Sequence, residues 1–134
     1  MKRLSVVVVI LSLLGWSAAP AIADGHFQRS ASLNGRKRFP HAQGQSRFER
    51  QDGNRDLNVS VSGAMRLAGH RVVVHVAGNR IGTLLVSSDG MAQRDWDSAD
   101  GHALPRVSAG NKIRITTLKG TLVASGSFHR DNGD

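Results

Sequence analysis

Three features of this chain predict an all-β protein, an antiparallel β-sandwich of seven or eight short strands. Turn signals recur at short intervals, at Asp52-Gly53, Gly78-Asn79, Ser87 to Gly90 and Lys119-Gly120. The segments between them are short, and most alternate apolar with polar residues or are rich in β-branched ones. No stretch beyond the N-terminal segment carries helical periodicity.

The N-terminal segment predicts export. Lys2-Arg3 precede an apolar run from Val6 to Leu14, too short to span a bilayer comfortably, and Ala21-Ile22-Ala23 supplies the small-x-small pattern a signal peptidase requires. Residues 1–23 therefore read as a signal peptide cleaved before Asp24, leaving no transmembrane anchor and a secreted or periplasmic protein. The chain has 134 residues and no cysteine, which excludes a disulfide framework, a cysteine nucleophile and a lipidated start. A mature chain of this size buries roughly two-thirds of its unfolded surface, enough for one core.

Residues 24–43 are rich in Gly, Ser, Arg and His and read as a basic flexible arm, with Ala31 to Leu33 as a short edge strand. The sandwich domain spans 44–130, and 131–134 form a disordered tail. Gln45 to Gln51 alternates, Asp52-Gly53 suits a type I′ turn, and the return strand carries Leu57, Val59 and Val61 on one face. That turn sets Phe48 against Leu57 and Ser46 against Val59. In the next hairpin, a type II′ turn at Gly78-Asn79 sets Val76 against Ile81, Val74 against Thr83 and Val72 against Leu85, with His75 opposite Gly82. Met91 to Asp97 then returns. An even-length loop puts Trp96 on the face of Ile81 and Thr83, whereas a three-residue loop reverses it. Residues 98–110 are a crossover, and Lys112 to Phe128 form a last hairpin with Ile113, Ile115, Ala124 and Gly126 on its dry face.

Catalytic constellations are thin in this sequence, and an enzyme is unsupported by them. No Ser sits in a nucleophile elbow, and the six histidines (His26, His41, His70, His75, His102, His129) include no pair spaced two apart, as two ligands on one strand face would be. Asp95, Asp97 and Asp100 form a weak calcium candidate that fails the EF-hand register. The expectation is a non-enzymatic protein without a cofactor. The alternative is a metal-binding protein or metal-dependent enzyme on the same sandwich.

Charge is more informative. The chain holds 18 Lys+Arg against 10 Asp+Glu, and the excess lies between Asp24 and Arg80, whereas six bases balance six acids from Ile81 onward. A basic face of this kind attracts polyanions. Arg36, Lys37 and Arg38 are the first expected contacts, with Arg47 and Arg55 extending the patch. The partners expected are anionic polysaccharide, lipid phosphate or another envelope component. Aromatic residues make up 4% of the chain and none is tyrosine, which argues against a surface that stacks bases or sugars.

Ala31 to Gly35 (ASLNG), Pro40, Gly44 to Phe48 (GQSRF) and Leu57 to Val61 (LNVSV) together resemble the opening of chordin-type (CHRD) domains. That resemblance implies a secreted β-sandwich of immunoglobulin-like or superoxide-dismutase-like architecture. Many such domains carry His-x-His at the next strand, where this chain has the single His75. The later segments Gly78 to Gly82 (GNRIG) and Ala124 to Phe128 (ASGSF) are similar to modules of exported bacterial proteins, which implies a fold and a compartment with no activity attached.

Overall fold

The computed structural model describes residues 26–130, so the expected signal peptide, its cleavage point and the C-terminal tail lie outside the described residues. Nine strands follow in order: β1 His26–Gly35, β2 Gln43–Gln51, β3 Asn54–Ser62, β4 Arg71–Val76, β5 Asn79–Leu85, β6 Ala92–Asp97, β7 Lys112–Thr117, β8 Leu122–Ser127 and β9 His129–Arg130. All pairings are antiparallel, in the order β5-β4-β7-β8-β1-β2-β3-β6, with β9 beside β1. The expected β-sandwich is therefore present, as a nearly closed barrel. Its seam lies between β5 and β6.

Side chains close that seam. Arg94 Nη1 donates to the Thr83 carbonyl at 3.1 Å, and its guanidinium lies 4.9 Å from the Trp96 ring centre. Beneath it, Trp96 is 1% exposed and fills the space over Gly82, where an added Cβ would lie 2.9 Å from the indole Nε1. Glycine is required there because the indole occupies the place of a side chain.

The core runs along the barrel axis. Leu33 of β1, Phe48 of β2, Leu57 and Val59 of β3, Val74 and Val76 of β4, and Ile113 and Ile115 of β7 all point inward and are buried. Period-2 alternation makes this possible, because one face of each strand is apolar. Both residues of the Asp52-Gly53 turn have positive φ, as type I′ requires, and the expected pairs Phe48 with Leu57 and Ser46 with Val59 are found.

The β4–β5 hairpin differs from expectation. Its turn is Ala77-Gly78, with φ of 51° and 83°, so Gly78 takes the second place of a type I′ turn rather than the first place of a type II′ turn. A bulge with Ile81 as the extra residue then shifts the ladder, pairing Val74 with Gly82, Val72 with Leu84 and His75 with Arg80. Trp96, not His75, covers Gly82. The loop before β6 holds three residues between the paired Ser87 and Met91, and Gly90 has φ of 78°. Trp96 therefore lies on the face of Gly82 and Leu84, away from Thr83.

The segment expected as an arm also differs. Residues 26–35 form a ten-residue interior strand, with Ala31 and Leu33 buried and both neighbours paired. Its outward residues are polar because they face solvent, which hid the alternation.

Alternating strand directions sort the connections between two ends. Loops 36–42, 63–70, 86–91 and 118–121 share one end, termed the loop end. The turns Asp52-Gly53 and Ala77-Gly78 and the crossover 98–111 share the other. Leu104 and Val107 of the crossover are buried in the core. Among the described residues, no helix is long and apolar enough to cross a membrane.

Candidate functional site

The loop end gathers cations that are scattered in sequence. Arg36, Lys37 and Arg38 lie exposed on the β1–β2 loop. Arg66, on a single 3₁₀ turn between β3 and β4, donates from Nη1 to the Arg38 carbonyl at 2.7 Å and stacks 5.6 Å from the Phe39 ring centre. Arg36 N–H donates to the Val123 carbonyl at 3.0 Å, which brings the β7–β8 turn and its Lys119 beside the same loop. Arg71 opens β4 at this rim and donates to the Thr83 hydroxyl at 3.2 Å. Six cations thus share this end with one carboxylate among the described residues, Asp89 on the 86–91 loop.

Backbone bonds join the loops into one platform. Ala64 N–H donates to the Gly90 carbonyl at 3.0 Å, Gly69 N–H to Val86 at 2.8 Å and Val86 N–H to His70 at 3.0 Å. A small apolar cleft of about 230 Å³ opens between Phe39, Pro40, Ala64 and Met65, beside Arg66.

Two residues expected in the basic patch lie elsewhere. Arg55 starts β3 near the opposite end, where its Nη1 donates to the Leu104 carbonyl at 2.7 Å and its backbone N–H to Ser98 Oγ at 2.8 Å. It anchors the crossover. Strand rise places it more than about 20 Å from the β1–β2 loop. Arg47 is exposed on the outer face of β2, as its strand position requires, but it lines a polar depression of about 560 Å³ with Glu49, Asp56, Asn58 and Asp95. Carboxylates surround it there, so it does not extend the basic rim. Arg66 and Lys119 take the places expected for Arg47 and Arg55, and only topology reveals them.

The same outer face carries the densest negative charge. Glu49, Asp56 and Asp97 occupy paired positions across β2, β3 and β6, and Asp95 lies one step along. Burial, then the charges of Asp95, Asp97 and Glu49, pushes the Asp56 carboxyl up to about 6. Gln28 Nε2 donates to Glu49 at 3.1 Å and Asn58 Nδ2 to Asp95 at 2.6 Å. The calcium candidate is split: Asp95 bonds Asn58, Asp97 Oδ1 accepts the Ala99 N–H at 2.8 Å and caps a 3₁₀ turn, and Asp100 is exposed on that turn.

The histidines are likewise dispersed. His41 and His70 are exposed in separate loops, His102 lies on the crossover and His129 on β9. His75 is half-buried on the outer face of β4, with Nε2 3.3 Å from the Thr116 hydroxyl. Burial, then Arg80 and Arg114 on the neighbouring strands, lowers its pKa. Among the described residues, no group of three or more His, Asp or Glu is arranged to hold a metal ion.

Neither a family model nor a curated protein matches this chain. Solved structures do. One variant of superoxide dismutase 5 from Candida albicans superposes with a TM-score of 0.55 at 14% identity, covering 81% of this chain and 98% of that one. A second variant of the same enzyme gives 0.51 at 11% identity, covering 82% and 98%. At this identity the likeness shows the fold.

Proposed function

We propose that this protein is an exported, envelope-associated binding module whose loop end holds an anionic polymer or surface. One observation carries the reading: Arg36, Lys37, Arg38, Arg66, Arg71 and Lys119 come from four separate segments to one end that holds a single carboxylate, while six of the seven acids among the described residues lie away from this end. Like charges gathered on one rim repel one another, and a polyanion relieves that repulsion. Five of the six are Arg or lie beside one, and guanidinium forks suit the paired oxygens of phosphate, sulfate and carboxylate. Delivery outside the cytoplasm rests on Lys2-Arg3, the apolar run and Ala21-Ile22-Ala23. The chordin-type resemblance belongs to the same proposal.

Affinity of this kind comes mainly from counterion release, so it falls steeply with salt. Retention of the exported chain on immobilised heparin, followed from low to high salt, tests it. With the rim engaged, the log–log slope corresponds to about four or five released ions. A slope near one, or elution at the lowest salt, contradicts the reading.

A further inference from the structure

The loop end carries a second feature that a purely ionic site does not need. Four large hydrophobic side chains are strongly exposed among the described residues: Met65 and Leu118 at 65%, Leu85 at 57% and Met91 at 55%. All four belong to the loop end. Isolated exposed apolar residues are ordinary on a soluble surface, but their confinement to one end is not.

Their placement follows the strand order around the rim. Met91 closes the β5–β6 loop and Met65 stands against it, since a Cβ on Gly90 would lie 2.7 Å from the Met65 Cγ. Arg66 and the Arg36 to Arg38 loop come next. Lys119 and Leu118 follow on the β7–β8 turn, then Arg71, which pairs with Leu85 and returns the circuit to the seam. Apolar tips therefore alternate with cations around the barrel mouth. Met and Leu tips are unbranched at Cβ and flexible, and they suit a fluid partner better than a rigid one.

We infer that the loop end docks on an anionic lipid bilayer, with Met65, Met91 and Leu118 entering the headgroup–acyl boundary and the rim cations meeting lipid phosphates. This rests on the polyanion reading above and names its partner. Charge complementarity selects the bilayer surface, and the apolar tips distinguish it from a soluble polyanion. Stable attachment to a membrane takes two weak signals together, and this end supplies both. The opposite end, with the Asp52-Gly53 and Ala77-Gly78 turns, also carries cations, Arg80, Lys112 and Arg114 among them, but it mixes them with Asp52, Asp97 and Asp100 and has no exposed large apolar side chain among the described residues.

The absence of cysteine allows a direct test, because one engineered thiol carries one label. Leu118→Cys and Met65→Cys in the exported chain, each bearing an environment-sensitive fluorophore, are mixed with vesicles of phosphatidylcholine and phosphatidylglycerol at about 7:3. Both labels are expected to shift to the blue, while a label at Asn54→Cys, exposed at the opposite end, stays unshifted and pure phosphatidylcholine shifts none of them. The triple substitution Met65→Ser, Met91→Ser and Leu118→Ser is expected to weaken vesicle binding at least about tenfold and to leave heparin retention unchanged. Retention on heparin without a blue shift overturns the bilayer inference and leaves the polyanion reading standing. Loss of both overturns both. A blue shift that appears without vesicles and grows with protein concentration assigns the tips to a second copy of the chain, and a triple variant that binds vesicles as before removes the role of the tips.

Discussion

The two ends of the barrel are built from connections between the same strands and do opposite things. At the crossover end, residues 98–111 fold back so that Leu104 and Val107 enter the core, and Arg55 fastens the crossover through the Leu104 carbonyl. At the loop end the connections hydrogen-bond to one another, and their cations and long apolar side chains remain in solvent. One end spends its side chains on stability and the other leaves them available. Stability and binding should therefore separate by position.

The largest effect expected is on stability alone. Trp96 is among the largest fully buried side chains and fills the seam over Gly82. Trp96→Ala should cost about 3–5 kcal/mol in chemical denaturation. Heparin retention, measured where the variant is still folded, should not change. If retention fell with the folded fraction constant, the two ends would be coupled and the comparison broken.

A smaller effect is expected on the acidic outer face. Because folding raises the Asp56 pKa from 3.8 to about 6, the folded state binds this proton more readily than the unfolded state. The cost of the charged carboxylate is therefore absent below about pH 4, grows as pH rises through 6 and is complete above it. Asp56→Asn should leave stability unchanged near pH 4 and raise it on the order of 1 kcal/mol at pH 7.5, after allowance for solvent screening of a partly open group. Denaturation midpoints at the two pH values check this. Equal gains at both would mean that packing, not charge, sets the effect.

These contrasts also show what was legible in the residues. The β2–β3 register could be read because Phe48 and Leu57 alternate with polar neighbours and Asp52-Gly53 admits one turn type. In β4 that cue fails: Val72, Val73 and Val74 are all buried, so either parity looks apolar, and Gly78 serves two turn types at different positions. Leu84 and Val86, buried while Leu85 is exposed, were the residues that held the right parity. Strand β1 was hidden by Gln28, Ser30 and Ser32 on its outward side and by Arg29, which shares the inward parity of Ala31 and Leu33. In the site, Arg36 to Arg38 announced themselves as a run. Arg66 and Lys119 lie far from them in sequence, and Arg47 and Arg55 looked equally suitable until strand direction put one among carboxylates and the other at the crossover end.

Paired charge reversals measure the central claim most directly. One variant carries Arg36→Glu, Lys37→Glu and Arg38→Glu at the loop end. The other carries Arg80→Glu, Lys112→Glu and Arg114→Glu, all exposed and toward the opposite end. Net charge changes equally in both, and surface positions of this kind shift stability by only about 0.5 kcal/mol per substitution. The salt concentration that elutes each from heparin is the readout. A localised rim predicts that the first variant elutes at the lowest salt while the second stays close to the parent chain. Equal losses in the two variants would contradict it, since retention would then follow net charge and not the loop end.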